Sequence, residues 1–170
     1  MKLESYIRNI PDFPIKGILF RDITTLLNNK KGFKQTIDAM AKMIKGKKID
    51  YIVAAESRGF IFGAALSYKI GCGFIPVRKP GKLPFKTHNA AYSLEYGKDS
   101  LEIHQDAFKP GSCILILDDL LATGGTVSAI VQLVKKMRGK ISGILFLIEL
   151  VGLEGRKKLK GLPVYSLIKY

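Results

Sequence analysis

The densest set of groups able to do chemistry lies in residues 114–126, ILILDDLLATGGT. An apolar run from Ile114 to Leu117 ends in two adjacent carboxylates, Asp118 and Asp119. Leu120 and Leu121 follow, then Ala122, Thr123, Gly124, Gly125 and Thr126, and an amphipathic stretch begins at Val127. Adjacent carboxylates at a strand end can accept two hydrogen bonds from a vicinal diol. The glycines let backbone N–H groups approach a phosphate closely. Thr123 and Thr126 add hydroxyl donors, and a helix N-terminus adds partial positive charge. Phosphate beside diol describes a ribose 5-phosphate. The string contains no GxxxxGK, and no GxGxxG follows any strand-like run, so neither a Walker loop nor a dinucleotide fingerprint is indicated.

Such a site needs a scaffold, and the hydrophobic pattern supplies one. Residues 51–55 (YIVAA), 73–79, 114–117, 141–150 and 164–168 are short apolar runs of strand type. Residues 32–44 carry Phe33, Ile37, Met40, Ala41 and Ile44 at helical spacing, closed by Gly46. Residues 61–69 and 127–137 are also helical, the second with Val127, Ile130, Val131, Val134 and Met137 on one face. Continuous apolar strands alternating with amphipathic helices indicate an α/β fold with a mostly parallel sheet covered on both faces. In such sheets ligands bind beyond the carboxyl ends of the strands. Elsewhere, residues 3–10 read as a short helix ended by Pro11, leading through a proline- and glycine-bearing loop to a short buried strand. Residues 80–90 read as a long loop. Residues 92–96 and 100–108 read as a hairpin around Gly97.

Composition narrows the classes. A chain of 170 residues with 47% hydrophobic and 25% charged residues fits one ordinary globular domain. No apolar run approaches the roughly 20 residues of a membrane span, and the opening MKLESYIRN lacks a signal-peptide core; a cytoplasmic protein is expected. The two cysteines, Cys72 and Cys113, lie in no metal-ligand spacing and are expected as buried reduced thiols. The net charge of +14 admits an anionic partner. Most of the lysines are scattered over expected helix faces and ends, as on a solvated surface, and the set around Arg78 to Lys86 is the candidate functional group.

With these residues set out, ILILDDLLATGGT resembles the phosphoribosyl pyrophosphate (PRPP) signature of the type I phosphoribosyltransferase family. PDFPIKGILFRDIT (11–24), ESRGFIFG (56–63), VRKPGKLP (77–84) and YSLEYGKDSLEIH (92–104) resemble, in the same order, segments of its adenine-using members. The resemblance runs from about residue 3 to residue 170. It implies the type I fold as a single domain over 1–170, with a small N-terminal hood (about 1–30) and a flexible lid hairpin (about 80–100). It implies transfer of the 5-phosphoribosyl group from PRPP to adenine, a purine-salvage reaction giving AMP and pyrophosphate.

The resemblance also distributes roles. Asp118 and Asp119 match the ribose-binding pair, and Ala122, Thr123, Gly124, Gly125 and Thr126 the 5-phosphate loop. Ser57, Arg58 and Gly59 match the pyrophosphate loop, which the family often holds with a cis bond; here that is Glu56–Ser57. Arg78, Lys79 and Lys82 are candidates for pyrophosphate contact, Arg78 reaching toward a neighbouring subunit. Leu19, Phe20 and Arg21 match the adenine pocket, with Phe20 stacked on the purine and the backbone on either side meeting its edge. Glu95 matches a general acid/base near N7, and Tyr96 its lid partner. Mg²⁺ is implied as the cofactor, held mainly by PRPP and water with no direct protein ligand. A homodimer is implied, without nucleic-acid or membrane partners. His104 is expected to be structural, and no role passes to Lys86 or His88. Two alternatives stay open: a transferase for another base, such as a 6-oxopurine or orotate, and a PRPP-sensing regulator that binds nucleic acid. The GILFRD and LEYG motifs weigh against the first, and the lack of a visible DNA-binding appendage against the second.

Overall fold

The computed structural model describes residues 2–94 and 97–170. It falls into two compact units, residues 1–39 and 40–170.

In the first unit, residues 3–10 are not one helix. A 3-10 turn, Leu3–Tyr6, is followed by strand β1, Arg8–Ile10, which pairs antiparallel with β2, Phe20–Asp22. Strand pairing across a 9-residue gap overrides the local helical pattern, which no single-segment reading contains. The loop between the two strands holds a cis Phe13–Pro14 bond, Asp12 at φ 55 and Gly17 at φ 91. Its turn is closed by the Gly17 N–H donating to Asp12 Oδ1 at 2.7 Å. Helix α1, Thr24–Leu27, follows β2, and α2, Lys30–Met43, begins in this unit and ends in the second. Helix α2 starts two residues before the expected position. The Asn29 side chain accepts from the N–H groups of Gly32 (2.9 Å) and Lys31 (3.1 Å), an N-cap that the apolar spacing alone does not mark.

The second unit is built on a five-stranded sheet whose four neighbouring pairs are all parallel. Its strands are β3 (Tyr51–Ala55), β4 (Gly73–Val77), β7 (Cys113–Leu121), β8 (Lys140–Glu149) and β9 (Val164–Lys169), in the order β4-β3-β7-β8-β9. Helix α3, Arg58–Ile70, joins β3 to β4, and α4, Gly125–Lys136, joins β7 to β8. Residues Val53, Ile75, Ile114, Ile116 and Ile144 form one core with Val127, Ile130 and Val134 of α4. Helix α3 lies on the opposite face, its Gly63 so close to Ala54 and Phe74 that a Cβ would sit 3.0 Å and 2.8 Å from them.

The antiparallel hairpin of β5 (Thr87–Leu94) and β6 (Gly97–His104) is a separate two-stranded sheet. It begins inside the segment expected as loop. Ala90, Leu101 and Ile103 are buried in the α4 core, and that burial draws residues 87–90 into strand pairing. The thiols depart from expectation as well: Cys72 and Cys113 are free but only half-buried. Among the described residues no helix is long and apolar enough to cross a membrane.

Candidate active site

The sequence order places β3 and β7 far apart, yet they are neighbours. The chain leaves β3 through α3 toward one side of the sheet, and leaves β7 through α4 toward the other. A crevice opens where such connections diverge, beyond the strands' carboxyl ends. Strand β7 deepens it by outrunning β3. Its residues Ile114 to Leu117 pair with Tyr51 to Ala54, but pairing with β8 continues to Leu121 opposite Glu149. Asp118 and Asp119 are therefore inside the strand, not after it as expected, and β3 no longer flanks them.

The space beside them is filled by the Glu56–Ser57 turn, whose bond is cis as the resemblance implied, and by the first turn of α3. Gly59 makes that approach possible: a Cβ there would lie 2.9 Å from Asp118 Oδ1 and 3.3 Å from the Leu117 carbonyl. Both carboxylates are buried. The Asp119 N–H donates to Asp118 Oδ1 at 2.9 Å, and Arg58 Nε meets Asp119 Oδ2 at 2.8 Å. Burial pushes the Asp118 carboxyl well above the usual range, and the adjacent Asp119 charge pushes it further. Asp119 is also raised by burial, with Arg58 opposing. Two desolvated carboxylates side by side call for hydrogen-bond donors, which a diol supplies.

The facing wall is the 122–126 turn. Gly124 takes φ 76, a left-handed conformation suited to glycine, and Gly125 opens the 12-residue α4. A cavity of about 270 Å³ brings together Ser57, Arg58, Lys79, Asp118, Asp119 and all of Ala122, Thr123, Gly124, Gly125 and Thr126. These residues come from three separate stretches of sequence. Gly59 stands behind Asp118 and does not line the cavity.

Arg78 and Lys82 do not line it either. They converge on Glu56, which accepts from Arg78 Nε at 2.8 Å, Lys82 Nζ at 3.0 Å and the Lys79 N–H at 3.0 Å. Burial pushes the Glu56 carboxyl up, but these donors outweigh it and hold it below the usual range. Lys79 Nζ meets Asp99 Oδ2 at 3.1 Å. The same Asp99 oxygen accepts from the Tyr92 hydroxyl at 3.2 Å. Tyr92 lines the cavity and also interacts with Thr126, which ties the hairpin to the phosphate-type loop.

The sequence assigns no role to Glu56, Tyr92 or Asp99. Glu56 carried a signal, a carboxylate caught between an apolar strand and Ser-Arg-Gly. Asp99 carried none, because its contact with Lys79 depends on how the hairpin folds back. Leu19, Phe20 and Arg21 belong to the N-terminal unit. Leu19 is exposed and Phe20 half-buried, with the Phe13 ring edge-on at 5.1 Å, and Arg21 donates to Asn9 Oδ1. Glu95 and Tyr96 lie outside the described residues. His104 accepts from the Phe85 N–H at 3.4 Å. Among the described residues, no three His, Cys, Asp or Glu side chains gather to hold a metal ion.

Comparison with known proteins identifies the family and the fold. The family model of the phosphoribosyl transferase domain matches residues 22–164. An adenine phosphoribosyltransferase of Brachyspira hyodysenteriae is 60% identical over 170 residues, covering all of both chains. The crystal structure of adenine phosphoribosyltransferase from Thermoanaerobacter pseudethanolicus superposes with a TM-score of 0.96 at 54% identity, covering 99% of this chain and 98% of that one. The Saccharomyces cerevisiae enzyme, solved with an imino-altritol bisphosphate and adenine, gives a TM-score of 0.92 at 42% identity, covering 97% and 96%. The chain belongs to the phosphoribosyl transferase family, among its adenine phosphoribosyltransferases.

Proposed function

We propose that this protein transfers the 5-phosphoribosyl group of PRPP to adenine, giving AMP and pyrophosphate in purine salvage. The observation that carries the proposal is the buried Asp118–Asp119 pair, its Asp119 bonded to Arg58, facing the 122–126 turn across one cavity. The pair accepts the ribose hydroxyls, and the N–H groups and hydroxyls of residues 122–126 take the 5-phosphate. These two attachments hold the sugar at both ends and leave C1 as the free reacting centre. As the bond to pyrophosphate breaks, positive character grows on the ring, and the nearby carboxylate charge favours it. Ser57 and Arg58 meet the departing pyrophosphate with backbone and guanidinium donors. Lys79 is a further cation lining the cavity, and Arg78 and Lys82 are held on Glu56.

Leu19, Phe20 and Arg21 are assigned to the acceptor base. Adenine's 6-amino group requires an acceptor, which a main-chain carbonyl supplies. A 6-oxo purine would set acceptor against acceptor and leave buried groups unpaired, a strong source of discrimination. Glu95 is assigned as general acid/base at the purine and Tyr96 as its lid partner. Residues 1–30 would form the hood and 80–100 the lid of a single catalytic domain, with closure excluding water from the transfer. The donor set suits Mg²⁺ carried in on PRPP. One carboxylate is paired to Arg58 and the other accepts a backbone N–H, so few protein oxygens are offered, in line with magnesium's preference for phosphates and water. Bound there, the ion would neutralise pyrophosphate charge beside Asp118 and Asp119. A cytoplasmic homodimer completes the proposal.

The test is AMP formation from adenine and PRPP with and without Mg²⁺, beside hypoxanthine, xanthine and orotate. Turnover of adenine alone is expected. Turnover of another base without adenine would reassign the acceptor, and PRPP-dependent nucleic-acid binding without turnover would replace the enzyme with a regulator.

A further inference from the structure

The 122–126 turn does not hold its shape alone. A Cβ built on Gly155 would lie 2.2 Å from the Ala122 carbonyl oxygen and 3.1 Å from the Gly124 nitrogen. A Cβ built on Gly124 would lie 2.6 Å from the Gly155 carbonyl oxygen. The two backbones are thus in reciprocal contact, with a glycine on each side of it. The obstacles are main-chain atoms, which cannot rotate away as a side chain can.

Residue 155 is itself fixed from behind. It opens the 3-10 turn Gly155–Leu159, entered through Glu154 at φ 53. The next residue, Arg156, is clamped to the end of the sheet. Its Nε and one terminal nitrogen donate to the two oxygens of buried Glu149, at 2.6 and 2.8 Å. Arg156 also donates to the Val164 carbonyl at 3.1 Å and to Ser166 Oγ at 3.4 Å. Glu149 ends β8 opposite Leu121, the last residue before the turn. The Leu150 N–H donates to the Leu121 carbonyl at 2.9 Å. Strand end, arginine clamp and glycine contact therefore form one continuous support running from β8 and β9 to the turn.

We propose that Gly155, held by the Arg156–Glu149 clamp, is a positioning residue that sets the backbone geometry of the 5-phosphate loop. This rests on the assignment of residues 122–126 to the phosphate. Beside the Thr123 and Thr126 hydroxyls, the loop's donors are backbone N–H groups, whose direction is decided by the main chain. A methyl at 155 sits more than 1 Å inside ordinary contact with Ala122. The loop must then retreat, and its N–H groups no longer converge.

The experiment measures binding of ribose 5-phosphate and of inorganic pyrophosphate by calorimetry, with KM for PRPP and for adenine. It compares the unaltered protein with Gly155→Ala, Arg156→Ala and Arg156→Lys. Gly155→Ala is expected to weaken ribose 5-phosphate about tenfold or more, the scale of one or two lost hydrogen bonds to a charged group. KM for PRPP should rise with it, while pyrophosphate binding and KM for adenine stay unchanged. Arg156→Ala should follow in the same direction, and Arg156→Lys should restore part of the loss. Unchanged ribose 5-phosphate binding in Gly155→Ala would overturn the proposal, as would equal weakening of both ligands. If Gly155→Ala does not fold, Arg156→Lys decides: a selective loss of ribose 5-phosphate affinity supports the buttress, and full affinity overturns it. Failure of the unaltered protein to bind ribose 5-phosphate would instead remove the phosphate-loop assignment, and the proposal with it.

Discussion

Replacing Asp22 by asparagine tests how the strand carrying Phe20 and Arg21 is held. Asp22 is 6% exposed at the end of β2. Its Oδ1 accepts from the Thr24 N–H at 2.9 Å and the Thr24 hydroxyl at 2.7 Å, and its Oδ2 meets Arg8 Nε at 3.0 Å. The Thr24 N–H, the Thr24 hydroxyl and Arg8 together lower its pKa from 3.8 to about 2. At about 1.4 kcal/mol per pH unit, ionised Asp22 contributes roughly 2 kcal/mol. Part of this passes through Arg8, whose side chain is 58% exposed and therefore screened by salt. Because the folded value is depressed, the contribution is fully present above pH 3.8 and is lost as pH falls through about 2. Asparagine keeps one acceptor for Thr24 but never carries the charge. Asp22→Asn should therefore lower the melting temperature by about 4–8 °C at pH 7, using the shift per kcal/mol usual for this chain length. The gap should close toward pH 2. Thermal melts of both proteins by circular dichroism from pH 7 to pH 2 measure it, and KM for adenine should rise as β2 loosens. A gap that stays constant across that range, or no gap at pH 7, would show that the Asp22 charge does not stabilise the fold.

Other outcomes follow from the site. Gly59→Ala should lower kcat/KM for PRPP by about 10- to 100-fold, because Asp118 Oδ1 must retreat by about half an ångström to reach ordinary contact; a near-normal value would show that the carboxylate gives freely. Arg58→Gln removes the cation that opposes the raised pKa of Asp119, so the acid limb of kcat/KM for PRPP should move to higher pH. A limb that does not move would separate that pair from donor binding. Asp99→Ala frees Lys79 for an incoming anion and should lower KM for PRPP about two- to threefold, whereas Lys79→Ala should raise it; steady-state kinetics at low salt would detect both.

Hydrophobic periodicity located the strands and helices because burial on one or both faces is written into residue order. The boundaries it missed are those that partners decide. The 87–90 segment is strand because Ala90 packs on α4, and residues 8–10 are strand because β2 lies beside them. The residue types that line the cavity were equally legible. Two carboxylates followed by a glycine–threonine turn and a helix make a ribose-phosphate site the expectation, and the fold brings these residues to one cavity. The cavity itself was not legible. It exists because β3 and β7 are neighbours from which the chain departs in opposite directions, and because β7 runs on past β3. Strand order is a property of the packed sheet, absent from any window of sequence. The same holds for the contacts of Gly155 with Ala122 and of Asp99 with Lys79. The residue types that do the chemistry were thus set by the chain, whereas the tertiary structure alone decided what backs and orients them, since close approach between distant segments arises only when the core closes.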